Sequence, residues 1–100
     1  MNLSKPKRKV DNKLLKAIRK MPCACCGRNP PSDPSHIRSV GSGGPDEPWN
    51  VVPMNRDCHR TWHSVGAKTF CERHPEFRAL LEYMGWEISE KLTHPKLRAA

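Results

Sequence analysis

Cys23-x2-Cys26, Asp33-Pro34-Ser35-His36, Asn50 and Cys58-His59-x3-His63 follow one another between positions 23 and 63. Thiols, carboxylates and imidazoles are metal ligands, and neutral imidazole also exchanges a proton near physiological pH. A lone C-x2-C or H-x3-H has many ordinary explanations, whereas their order within one short stretch points to metal and nucleic-acid chemistry together. His59 and His63 are four residues apart, so on a helix both imidazoles leave the same face and can hold one cation; an ordinary surface pair is the alternative. The chain has five cysteines, an odd number, and no sign of a secretion signal. That favours thiolate metal ligation over a disulfide framework.

These residues need elements to carry them. Asp11 or Asn12 can cap a helix that runs to Lys20, with Leu14, Leu15 and Ile18 on one face, stopped by Pro22. Gly27, Pro30 and Pro31 punctuate the next stretch, which reads as a cysteine knuckle and a loop. His36 to Val40 alternates as a short strand and Trp49 to Met54 as a second, with Gly41, Gly43, Gly44 and Pro45 in the bend between them. A helix then fits Asn55 to about Phe70. Pro75 opens another through Tyr83, ended by Gly85, and Trp86 to Ile88 is a short final element. Trp49, Trp62, Phe70, Phe77 and Trp86 are expected in the core rather than as base-stacking platforms. The expected class is α+β, as a single domain over 11–92 with a disordered basic arm at 1–10 and a frayed tail at 93–100.

Strand, loop, strand and helix, with a histidine on the first strand and histidines on the helix, resembles the HNH or ββα-metal endonuclease fold over about residues 23–82. The motifs that carry the likeness are Cys23-Ala24-Cys25-Cys26-Gly27, Asp33-Pro34-Ser35-His36-Ile37, Gly41-Ser42-Gly43-Gly44, Val52-Pro53-Met54, His59 to His63, and Gly66 to Phe70. They are most similar to those of small phage and prophage HNH proteins, including recombination-associated nucleases. Phosphodiester hydrolysis needs a base to activate water and a cation to neutralise charge on the phosphate. The resemblance implies that His36 is the general base, that Asn50 ties the glycine loop to the hairpin and so orients that base, and that Asp33, His59 and His63 hold one catalytic divalent metal. Asp33 could instead be a turn cap. Mn²⁺, Ni²⁺, Co²⁺ or Zn²⁺ suits two histidines better than Mg²⁺, although many relatives work with Mg²⁺. Ser35 stands where relatives often have histidine, which implies a missing metal contact.

By the same resemblance, Cys23 and Cys26 join a second pair at the start of the helix to hold a structural zinc. Asn55 occupies the place of one expected cysteine, leaving Cys58 as the third thiolate and Cys71, His74 or Cys25 as the alternatives for a fourth ligand. If none serves, the cysteines are small buried apolar residues.

The formal net charge is +8, and Met1 to Lys20 alone holds eight basic side chains against Asp11. Lys5, Lys7, Arg8 and Lys9 form an arm suited to a phosphate backbone, or else a solvated tail. Arg38, Arg56 and Arg60 lie near the site in sequence and are candidate phosphate contacts. No apolar run reaches the roughly 18 residues of a membrane span, so the chain is expected in the cytoplasm with DNA as its partner, alone, as a homodimer or within a larger recombination complex. The expected function is a metal-dependent DNA endonuclease of phage or prophage recombination, repair or genome processing. A catalytically silent zinc-knuckle binding module and an RNase or toxin on the same scaffold are the alternatives.

Overall fold

Asp11 starts the first helix by accepting the Leu14 N–H on its carboxylate at 3.0 Å, and α1 runs Asn12–Arg19 with Ile18 turned into the core. In a computed structural model that describes residues 9–89 and 91–98, this helix is fastened to the hairpin behind it. The Ser32 N–H donates to the Arg19 carbonyl at 3.0 Å, and the Ser32 hydroxyl donates to the Met21 carbonyl at 2.7 Å. The chain is α+β: α1 is followed by β1 (Asp33–His36), a 3-10 turn (Val40–Ser42), β2 (Val51–Met54), α2 (Arg56–Val65), α3 (Ala67–Arg73), α4 (Pro75–Tyr83), β3 (Glu87–Ile88), β4 (Leu92–Thr93) and α5 (Pro95–Arg98). No helix of the described residues is long and apolar enough to cross a membrane.

β1 and β2 pair antiparallel, with Asp33 opposite Met54 and His36 opposite Val51. β1 therefore ends where the strand was expected to begin. The Ile37 N–H still donates to the Asn50 carbonyl at 2.8 Å. At Arg38 the Asn50 side chain replaces the partner strand, accepting the Arg38 N–H at 2.8 Å and donating to the Arg38 carbonyl at 3.1 Å. The chain then turns, and a Cβ at Gly44 would lie 1.7 Å from the Arg38 carbonyl oxygen, so only glycine fits. Pro34 and Pro53 face each other at a pair position that calls for no ladder N–H, which is how a hairpin tolerates both.

The helix expected from Asn55 to about Phe70 is two helices. Gly66, at φ 84 and ψ 163, ends α2 and starts α3, in a conformation that side-chain-bearing residues avoid. The break lets Trp62, Phe70 and Phe77 meet edge to face, with Trp62 and Phe70 centroids 5.5 Å apart and Phe70 and Phe77 centroids 5.3 Å apart. With Ile37, Val52, Met54, Leu81 and Trp86 they form the core; Trp49 packs against its edge.

The tail expected to fray from residue 93 is built in as far as the structure describes it. Thr93 belongs to β4, paired with Glu87. His94 is buried, stacked on Trp49 at 4.3 Å and set edge-on to Trp86 at 5.0 Å, while its Nε2 donates to the Met84 carbonyl at 2.8 Å. The physical reason is this aromatic cradle, which supplies contacts that a short polar tail lacks by itself. Of the arm expected to be disordered, only Lys9 and Val10 fall within the described residues, and both are exposed without regular structure.

Candidate active site and cysteine centre

α2 carries His59 and His63 one turn apart, and their Nε2 atoms lie 3.0 Å from each other. Two nitrogens bound side by side to one cation, with bonds of about 2.0–2.1 Å, would be roughly 3 Å apart, so the pair fits a shared metal. Asp33, at the start of β1, is found on the other side of His59: its Oδ2 is 3.2 Å from Nδ1. From there a carboxylate orients a metal-binding imidazole and fixes its tautomer. Arg56 stands 3.6 Å from the second carboxylate oxygen. Burial pushes the Asp33 carboxyl up, but hydrogen bonds from His59 and Arg56 outweigh it and hold its pKa below the ordinary value.

His36 ends β1 and lines, with His63, Arg38, Trp62 and Thr93, a cleft of about 500 Å³. Its Nε2 is 2.7 Å from Oδ1 of Asp46, whose side chain is 1% exposed. The other Asp46 oxygen accepts the Asp11 N–H at 2.9 Å. Asn50 is fully buried and also donates to the Pro45 carbonyl at 2.8 Å, holding the glycine loop against the end of β1. Asp46 was not among the residues singled out from sequence, because a carboxylate in a glycine-rich loop carries no periodicity. Its burial is the unexpected feature, since carboxylates are rarely enclosed unless paired. Ser35, where the likeness implies a missing metal contact, is fully buried, and its hydroxyl has no hydrogen-bond partner.

The knuckle folds because the Gly27 N–H returns to the Cys23 carbonyl at 2.9 Å with Gly27 at φ 75. It is pinned to β2 by the Ala24 N–H, which donates to the Pro53 carbonyl at 2.8 Å. Cys58 rises from the first turn of α2 to meet it, and the thiols of Cys23, Cys26 and Cys58 all lie within 4.8 Å of one another, a group able to bind a metal such as zinc. Asn55 caps α2 through its side-chain oxygen, which accepts the Cys58 N–H at 2.9 Å. Its amide nitrogen reaches Cys26 Sγ at 2.8 Å and Cys58 Sγ at 3.4 Å. Burial acts to raise the Cys23 thiol, yet backbone N–H groups of Asn55, Cys26 and Cys25 bring its pKa below the ordinary value; burial pushes Cys58 up.

None of the three alternatives for a fourth ligand belongs to that group. Cys71 is buried in the core, and the His74 ring lies tilted against Phe70, with centroids 4.4 Å apart. Cys25 is half-buried and shares a small pocket with His74. Arg38 lines the cleft and donates to the Leu92 carbonyl at 3.2 Å. Arg56, Arg60 and Lys9 are exposed; Lys5, Lys7 and Arg8 lie outside the described residues. Lys91, not anticipated from sequence, also lines the cleft.

No family model matches the chain, and no solved structure matches it. It is similar to the uncharacterized protein YdfU of Escherichia coli (strain K12), at 36% identity over 67 residues that make up 64% of this chain and 19% of that protein. The chain thus spans less than a fifth of that relative's length.

Proposed function

We propose that the protein is a metal-dependent endonuclease of the HNH type, hydrolysing phosphodiester bonds in DNA. The observation that carries this reading is that His36, held by Asp46, and His63, paired with His59, open onto one cleft. A base and a histidine pair able to hold a cation on one cleft can supply the two things phosphodiester hydrolysis needs, activation of water and neutralisation of charge on the phosphate. His59 and His63 would hold the divalent cation, with Asp33 orienting His59. Once bound, the cation would neutralise charge on the scissile phosphate and leaving oxygen. His36 would take the proton from the attacking water, and Arg38 and Lys91 would meet phosphate oxygens along the cleft. The thiol group of Cys23, Cys26 and Cys58 would hold a structural zinc, tying the knuckle to the start of α2.

The test is nicking of supercoiled plasmid, and of single-stranded and branched DNA and RNA, with Mg²⁺, Mn²⁺, Ni²⁺, Co²⁺ and Zn²⁺ in turn. Metal-dependent DNA cleavage supports the proposal. Cleavage confined to RNA would favour the ribonuclease alternative. Binding of DNA without cleavage under any metal would identify a silent binding module.

A further inference from the structure

We propose that Asp46 is the positioning residue of His36, fixing the imidazole in the tautomer that carries its proton on Nε2 and makes Nδ1 the proton-accepting nitrogen. The proposal rests on His36 as the base and adds the group that prepares it. The 2.7 Å separation of His36 Nε2 and Asp46 Oδ1 is at the short end of nitrogen–oxygen bonds to a carboxylate. A carboxylate only accepts, so the proton in this bond belongs to Nε2.

The carboxylate is not free to swing. Its second oxygen accepts the Asp11 N–H at 2.9 Å, a backbone donor fixed where α1 begins. On the other side Asn50 donates to the carbonyl of Pro45 at 2.8 Å, the residue directly before Asp46. Gly44, with no room for a Cβ, keeps that loop pressed on Arg38. Asn50 thus acts on the base through Pro45 and Asp46, two steps along the loop, as well as through the end of β1.

The substitution Asp46→Asn is isosteric but cannot accept from the Asp11 N–H and from the His36 Nε2–H at once. An amide offers one acceptor and one donor side to two N–H groups. The Asp11 N–H cannot change its role, so the amide oxygen stays with it and the amide nitrogen turns toward His36. That makes Nε2 the acceptor and moves the imidazole proton to Nδ1, the wrong nitrogen for a base, as in the loss of a triad aspartate.

The test reads the tautomer directly, from long-range ¹H–¹⁵N spectra of the full chain labelled with ¹⁵N-histidine, at a pH where His36 is neutral and without added metal. The proposal expects Nε2–H for His36 in the wild type and Nδ1–H in Asp46→Asn. An Nδ1–H wild type, or a variant whose tautomer does not change, would overturn it. In the plasmid assay, Asp46→Asn should lower kcat by about 10²-fold or more, with KM within about threefold and the melting temperature little changed. A KM effect with unchanged kcat would also overturn it. Should the wild type cleave nothing, the nuclease reading fails while the tautomer measurement still decides the role of Asp46.

Discussion

Asn55 donates its side-chain amide to Cys26 Sγ at 2.8 Å while its side-chain oxygen accepts the Cys58 N–H at 2.9 Å. One residue therefore caps α2 and supplies a hydrogen bond to the thiol cluster, and it stands where the sequence likeness expects a fourth thiolate. A thiol cannot cap as well, since Ser, Thr, Asp and Asn are the side chains that accept the first N–H groups of a helix. Asn55→Cys should consequently lower the metal-free melting temperature, by a cap loss of about 1 kcal/mol, and raise zinc affinity through a fourth thiolate. Melting with zinc and with EDTA, beside elemental analysis, measures both effects. A variant that holds zinc no better than the wild type would show that the corner is closed to a ligand.

Removing His36 isolates the base. His36→Ala should reduce cleavage by roughly 10² to 10⁴-fold, the usual contribution of a general acid or base, with DNA affinity nearly unchanged because the arm and the arginines remain. Cleavage retained within about tenfold would assign the base elsewhere.

The two proposed metal sites share α2 but no ligand, so their variants should separate. His59→Ala and His63→Ala should weaken activation by the added divalent metal and leave bound zinc in place. Cys23→Ser should lose zinc and melt earlier, since ligand loss at a structural site is a folding loss. Metal content by elemental analysis and melting temperature, read together for the three variants, check the division. Loss of zinc on changing His63 would merge the two sites.

Deleting residues 1–10 takes away Lys5, Lys7, Arg8 and Lys9 and stops before Asp11, whose N–H supports Asp46. DNA binding should weaken and depend less on salt, by about 0.9 in log–log slope for each lost phosphate contact on B-form DNA. Cleavage at saturating enzyme should persist. Binding isotherms over a salt series decide it, and an unchanged slope would make the arm a bystander.

The sequence made the helices and hairpin visible where local signals govern them. Asp11 caps α1 and Pro75 opens α4 as read. What escaped depends on partners distant in the chain. β1 stops at His36 because the Asn50 side chain takes over pairing at Arg38. Gly66 splits a helix that the apolar spacing alone continues. His94 is ordered by Trp49 and Trp86, a cradle that exists only once the core has closed. In the site, the histidines were legible by their spacing. Asp46 was not, because its loop position becomes meaningful only when Asn50 draws Pro45 back onto the hairpin.

Ser35 offers a test of packing that leaves the chemistry untouched. Its side chain is fully enclosed on β1 opposite Val52, and its hydroxyl is without a hydrogen-bond partner. An unsatisfied buried hydroxyl costs about 1–3 kcal/mol, and Ser35→Ala removes it at the expense of a void the size of one oxygen. The variant should be more stable by about 1 kcal/mol, which for a domain of this size raises the melting temperature by about 4–8 °C. Cleavage should be unaltered, because the side chain faces the core and not the cleft. Were the melting temperature to fall by a similar amount, the hydroxyl would have a bound water as its partner. Loss of cleavage at unchanged stability would instead give Ser35 a part in the site, against the missing metal contact that the sequence likeness implies.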